Sequence, residues 1–215
     1  MFMISFNNIC KIYSGNKVFY NANFSIKKGD FIFLTGDSGS GKTTFMRLLS
    51  GLEKPDKGSI IVNDADITKF NKKELSDYRR TIGIIMQNNT FIENETVRYN
   101  ISLPLLLEGE SEVSKKIEAI LGLVNLDKKI NSSIKSLAAG ERQRVAIARA
   151  IINSPDIILA DEPTNNLDQK LSEAVMKMLI QLSKYGATVI VTTHELSLAK
   201  KLEQNILSIN NAEII

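Results

Sequence analysis

Long hydrophobic runs, cysteine pairs, internal repeats and a strong net charge are all missing from this sequence. No apolar stretch approaches the length that spans a bilayer, and the first residues carry no signal-peptide pattern, so the chain is expected in the cytoplasm. Cys10 is the only cysteine, which excludes an intrachain disulfide, and its place in an apolar run predicts a buried core thiol. The formal net charge is only +3 and the basic residues are scattered, which predicts no nucleic-acid partner. No low-complexity tract is visible. What remains is 215 residues, 43% hydrophobic and 24% charged, a composition that supports one sizeable globular core.

The most informative segment is Gly36-Asp37-Ser38-Gly39-Ser40-Gly41-Lys42-Thr43, followed by Thr44. Its spacing is that of a phosphate-cradling loop between a strand and a helix. Residues 31–34 are an apolar run of the buried-strand kind, and residues 44–49 continue helically to a stop at Gly51, so both flanks suit the motif. The glycines let successive backbone N–H groups turn onto phosphates. Lys42 offers a compact positive charge to the β- and γ-phosphates, and the Thr43 hydroxyl is a ligand for Mg²⁺. A nucleotide is therefore the predicted ligand.

The rest of the chain reads as α/β. Short apolar runs at 60–62, 82–86, 157–160, 188–192 and 206–209, with helical patterns between several of them, predict a largely parallel central sheet. Residues 3–9 and 18–26 alternate and are bounded by turns bearing Gly and Asn, which predicts a small antiparallel β layer beside the nucleotide site. Between 88 and 151 no strand pattern stands out, while 114–123 and 140–151 have helical composition; a helical insertion is expected there. Leu171, Val175, Leu179 and Leu182 recur at helical spacing and predict a core-facing stripe.

A second constellation is the apolar run 157–160, which delivers Asp161 and Glu162 at its end. In open parallel sheets the carboxyl ends of strands form the ligand crevice. Asp161 suits Mg²⁺, directly or through water, and Glu162 suits orienting and deprotonating an attacking water. Adjacent acids also mark ordinary solvated turns; the phosphate loop is what gives this pair a chemical reading. His194, the only histidine, follows the run at 188–192, where a neutral imidazole can donate a hydrogen bond to a γ-phosphate.

Further motifs carry a family resemblance. Ser136-Leu137-Ala138-Ala139-Gly140-Glu141-Arg142-Gln143-Arg144, followed by residues 145–150, resembles the signature motif and helix of ABC-type ATPases, usually LSGGQ or LSGGE. Asp161-Glu162-Pro163-Thr164-Asn165-Asn166-Leu167-Asp168 resembles that family's extended Walker B and D-loop, and Val191-Thr192-Thr193-His194 its switch histidine. Gln87 stands at the Q-loop glutamine, and Tyr13 at the aromatic A-loop position. The resemblance implies an α/β P-loop NTPase fold, an ABC ATPase domain with a central mainly parallel sheet, an antiparallel β subdomain and a helical subdomain. It implies one domain over 1–215, with 1–87 and 152–215 as the nucleotide-binding core and 88–151 as the helical subdomain. ATP and Mg²⁺ are the implied ligands. Catalysis falls to Glu162, His194 and Gln87, and the metal to Thr43, Gln87 and Asp161. ATP binding falls to Gly36, Asp37, Ser38, Gly39, Ser40, Gly41, Lys42, Thr43, Thr44 and Tyr13, whose ring either stacks on adenine or closes the β layer.

In this family the signature peptide of one subunit covers the ATP bound to the other. The resemblance therefore implies a homodimer in which Leu137, Ala138, Ala139, Gly140, Glu141 and Asp168 act in trans. The chain departs from the pattern at Ala138 and Ala139, where the family has serine and glycine, and at Asn165, where glycine is frequent. With no membrane span of its own, the subunit is expected to drive a separate integral membrane subunit, meeting it between residues 88 and 109 and touching the membrane only through it. Residues 3–13, Phe33-Leu34-Thr35-Gly36, Tyr78-Arg79-Arg80-Thr81-Ile82-Gly83 and residues 159–164 resemble the FtsE-type cell-division branch. That branch implies an FtsX-like partner and a place at the cytoplasmic face of the inner membrane. Residues 140–150 are shared with LolD-like lipoprotein-release and MacB-like export ATPases. A low-turnover ATP-binding scaffold is the alternative of a different class.

Overall fold

The computed structural model describes residues 2–87, 89–108, 113–165, 167–194, 196–210 and 213–214. Asn88, Gly109 and Asn166, used above, lie outside them. The chain opens with a long hairpin, β1 (Phe2–Tyr13) and β2 (Asn16–Lys27), closed by Ser14 and Gly15. Both turn residues have positive φ, the geometry whose twist matches two antiparallel strands. Then follow β3 (Phe31–Thr35), α1 (Lys42–Leu49), β4 (Lys57–Val62), β5 (Ala65–Asp66), α2 (Lys72–Arg80) and β6 (Ile82–Ile85). Next come α3 (Val97–Glu108), α4 (Val113–Leu123) and α5 (Ala139–Ile151), with no strand between them among the described residues. The chain finishes with β7 (Ile157–Asp161), α6 (Gln169–Lys184), β8 (Thr188–Thr192), α7 (Leu196–Lys201), β9 (Asn205–Asn210) and β10 (Glu213–Ile214).

The central sheet has the order β10-β9-β3-β8-β7-β6, and every pairing from β9 to β6 is parallel. In β3, β7 and β8 every residue is buried, as expected of strands covered on both faces. Alternation along β3 sorts the core into two clusters. Phe31 and Phe33 join α3, α4, α5 and α6, whereas Ile32 and Leu34 join α1 and the antiparallel layer. Val175 and Leu179 of the stripe on α6 are buried as expected, and Leu171 and Leu182 are half-buried.

Two expectations need correction. The run at 60–62 does not enter the central sheet: β4 pairs with β1 antiparallel, giving a second sheet of order β2-β1-β4-β5. Its alternation is the reason, since Ile60 and Val62 are buried while Ser59 and Ile61 are only half-buried. That is a one-face pattern, unlike the fully buried strands of the centre. Cys10 is also only half-buried, because β1 bulges near it and its Sγ accepts from the Asn21 backbone N–H at 3.4 Å instead of facing the core.

Candidate active site

The parallel register brings three strand ends together. Leu34 on β3 and Asp161 on β7 both pair with Thr192 on β8, so the loop after β3, the acids after β7 and the histidine after β8 open on one side. A cleft of about 390 Å³ lies there, lined by Val18, Ser38, Gly39, Gly41, Lys42, Thr43, Thr44, Gln87, Asp161, Glu162 and His194.

The loop's backbone is specified by its glycines. Gly36 has φ +148, and a Cβ there would sit 2.5 Å from Ser40 Oγ and 2.8 Å from the Ile209 carbonyl. Gly41 caps α1 at φ +116, where a Cβ would meet Val18 at 2.7 Å. No side chain caps α1, so its first N–H groups point at the cleft as unpaired donors, which fits an anion. Lys42 Nζ is folded onto the loop, donating to the Gly36 carbonyl at 2.6 Å and the Asp37 carbonyl at 3.1 Å. Gly36, Asp37 and Ser40 thus shape the loop from behind, and Ser38, Gly39, Gly41, Lys42, Thr43 and Thr44 face the cleft.

On the opposite wall Asp161 is buried, and its Oδ1 accepts from the Thr192 hydroxyl at 2.6 Å. The same hydroxyl oxygen accepts from the Glu162 N–H at 3.0 Å, and the Thr192 carbonyl accepts from it at 3.2 Å. These bonds hold Glu162 at φ +47, in the left-handed region that a glutamate rarely adopts. Its carboxylate Oε2 lies 2.8 Å from His194 Nδ1. With a carboxylate oxygen as the acceptor, the hydrogen of this bond lies on Nδ1. Thr192 is the part of this wall that sequence reasoning missed; it was visible only as part of the setting of His194. Val18 on β2, a second unforeseen lining residue, gave no motif signal.

The other expected residues lie elsewhere. Tyr13 is absent from the lining, and its phenol donates to the Glu53 carboxylate; burial and that carboxylate push the phenol's pKa up. Leu137, Ala138, Ala139, Gly140 and Glu141 surround the start of α5, outside the cleft, with Ala138 and Ala139 exposed. Ala138 has no side-chain acceptor for the first turn, but its N–H donates to Glu141 Oε2 at 3.0 Å, which with Lys129 holds the Glu141 carboxyl below its ordinary range. Asp168 is exposed and caps α6, accepting from the Leu171 N–H at 2.9 Å.

A strap between Gln87 and α5 was not legible in the sequence. Asn89 donates to Gln143 at 3.1 Å, and Arg149 to the Thr90 carbonyl at 2.7 Å. The Phe91 ring lies under both Arg142 and Arg149, and Glu93 pairs with Arg142, which holds the Glu93 carboxyl below its ordinary range. Buried Asn100 fixes the Ile92 backbone by accepting from its N–H and donating to its carbonyl. Backbone bonds from Ile134 to Glu95 and from Lys135 to Glu93 then tie the strap to the residues just before Leu137.

Similarity to known proteins agrees with this geometry. The Escherichia coli cell division ATP-binding protein FtsE is 35% identical over 215 residues, covering 99% of this chain and 97% of that protein. The methionine import ATP-binding protein MetN of Clostridium acetobutylicum is 37% identical over 211 residues, covering 97% of this chain and 66% of that protein. Among solved structures, the ATP-binding cassette MJ0796, a dimer bound to ADP and Pi, superposes with a TM-score of 0.88 at 33% identity, covering 99% of this chain and 96% of that one. A family model described as ABC transporter matches residues 19–165, more than half the sequence. With the family model matching more than half the sequence and relatives above 30% identity over nearly its whole length, the chain belongs to the ABC transporter ATPase family.

Proposed function

We propose that the protein is the ATP-hydrolysing subunit of an FtsE-type membrane complex, and the observation that carries the chemistry is the Glu162–His194 pair facing Lys42 across one cleft. In this reading the phosphates draw Lys42 off the Gly36 and Asp37 carbonyls and rest on the bare N-terminus of α1. Thr43, Gln87 and Asp161, which share the cleft, would hold Mg²⁺, and the ion would supply positive charge against the phosphates. Glu162 takes the proton of the attacking water while His194 orients its carboxylate through Nδ1–H; to donate to the γ-phosphate the imidazole releases that bond and turns its one N–H onto the phosphate. Residues 137–141 and Asp168 serve the ATP of a second copy, which explains their place outside the cleft. The helical segment 88–151 then moves against the core formed by 1–87 and 152–215.

Output passes to an integral membrane subunit, FtsX-like in this reading, so the protein works at the cytoplasmic face of the membrane. Among the described residues no helix is long and apolar enough to cross a membrane. Support for a docking place comes from a groove of about 280 Å³ lined by Leu103, Pro104, Leu107, Ile82 and Ile84 and edged by Arg79, Arg80 and Arg149. Leu107 is 75% exposed there. The similarity to MetN favours a second reading, in which the partner is an importer; lipoprotein-release or MacB-like partners are further options of the same class.

The test is affinity capture of the protein from membranes in the presence of ATP, with the captured integral membrane protein identified by mass spectrometry. An FtsX-like protein supports the reading. An import permease, or no membrane protein in the Leu107→Glu control and wild type alike, overturns it.

A further inference from the structure

The loop that follows α1 does something the nucleotide cleft does not require. Glu53 accepts a hydrogen bond from the Tyr13 phenol, and the same carboxylate pairs with Arg47 on α1 at 2.8 Å and with Lys11 on β1 at 3.8 Å. The Lys11 ammonium lies 5.1 Å from the Tyr13 ring centroid and donates to the Lys54 carbonyl at 2.9 Å. Two residues on, Asp56 accepts from the Ile12 N–H at 2.7 Å. Tyr13 is at the end of β1 and 39% exposed, so packing alone does not fix its ring. Its orientation comes from residues 53–56 and, through the Glu53–Arg47 pair, from the helix that carries Lys42 and Thr43.

We infer that Glu53 is a positioning residue for the nucleotide base, holding the Tyr13 ring at a set place relative to the phosphate loop. The inference rests on one of the two expectations for Tyr13, that its ring stacks on adenine rather than closing the β layer. A free aromatic side chain has to be ordered when a base arrives, and ordering it beforehand removes that cost from binding. Glu53 is absent from the cleft lining. Its effect is therefore confined to the base, and phosphate binding is untouched.

The experiment titrates ATP and inorganic tripolyphosphate into the full chain, with Tyr13→Ala, Tyr13→Phe, Glu53→Ala and the combined Tyr13→Phe/Glu53→Ala variants beside the wild type. Tyr13→Ala should weaken ATP about 2- to 12-fold, the range for one aromatic stack, and leave tripolyphosphate unchanged. Glu53→Ala and Tyr13→Phe should each weaken ATP about 2- to 5-fold with no change for tripolyphosphate, and the combined variant should lose no more than the larger single loss. Glu53→Gln, which keeps the volume and an acceptor, should recover most of the ATP affinity. Tyr13→Phe breaks the same hydrogen bond without altering the loop, so the test stands even if Glu53→Ala does not fold. Equal losses for ATP and tripolyphosphate, or additive losses in the combined variant, overturn the positioning role while leaving base stacking intact. An unchanged ATP-to-tripolyphosphate ratio in Tyr13→Ala removes the stacking reading, and the role of Glu53 with it.

Discussion

Residues 36–44 and residues 137–141 both lead through glycine into a helix, yet they are held in different ways. The phosphate loop leaves a strand buried along its whole length, and α1 drives Phe45, Met46, Leu48 and Leu49 into the core immediately afterwards. At the start of α5 only Leu137 and Gly140 are buried, and the residues before it are tied to the strap by the Ile134–Glu95 and Lys135–Glu93 backbone bonds; Val145, Ala146, Ile147, Ala148 and Ile151 enter the core only further along the helix. Core packing of this kind contributes about 1.5–3 kcal/mol per large side chain, whereas a single hydrogen bond nets about 0.5–1.5 kcal/mol. The first region is a fixed receptor. In the second, the exposed Ala138 and Ala139 can exchange surface contacts with less loss of core, although α5 behind them is packed.

The largest effect expected is on the fixed side. Glu162→Gln should keep ATP binding and lower turnover by about 10²–10⁴-fold, because it removes a positioned base, and should accumulate nucleotide-bound dimers. Undiminished phosphate release would remove Glu162 from that role. Next is Lys42→Ala, which deletes a charge-assisted contact of about 1.5–3 kcal/mol and should raise the ATP dissociation constant by about 10- to 150-fold in a nucleotide titration. Equal affinity would show that Lys42 stays on the loop carbonyls.

Smaller effects are expected on the adjustable side, and they sharpen the contrast because ATP affinity should not move. Ala138→Ser supplies the missing cap oxygen at α5, worth about 0.5–2 kcal/mol of helix stability, and should strengthen ATP-driven dimerisation in the Glu162→Gln background. Sedimentation with ATP and Mg²⁺ reads the dimer, and a melting curve reads the cap; a higher melting point with an unchanged dimer would mean that Ala138 faces no phosphate. The smallest effect concerns Glu93, whose carboxyl is held below its ordinary range chiefly by the hydrogen bond from Arg142. A depressed folded-state pKa contributes stability above the ordinary carboxylate range and loses it as pH falls through the lowered value. Glu93→Gln should therefore flatten the acid side of the stability profile, measured by melting between neutral and acidic pH. An unchanged profile would show that the strap's ion pair is too well solvated to count.

The phosphate loop, the acids, the histidine and most strands of the central sheet were legible because each depends on a local pattern. Glycine spacing, an apolar run ending in carboxylates and a strand followed by His194 are each contained in one short contiguous stretch of sequence. What was illegible depends on distant pairing. β4 is placed beside β1 by pairing with residues distant in sequence, Ile4 with Val62 and Cys10 with Lys57, and the one-face burial that sets it apart from the central strands does not show in the unbroken apolar run Ile60-Ile61-Val62. The helices α2 and α3 went unmarked, although Asn71 and Glu74 form a reciprocal cap that starts α2. In α3, the helix runs through Pro104, with Ile101 and Leu105 packed in the core on either side of it. The strap is read only in space, since Glu93 and Arg142 belong to no shared motif.

The left-handed backbone of Glu162 sets a conflict between making the protein durable and making it work. A glutamate at φ +47 costs about 1 kcal/mol that a glycine does not bear, so Glu162→Gly should relieve the backbone while abolishing the base. Random selection for thermal endurance alone would thus drift toward an inert protein at this position, and any screen that improves the enzyme has to measure phosphate release at each round.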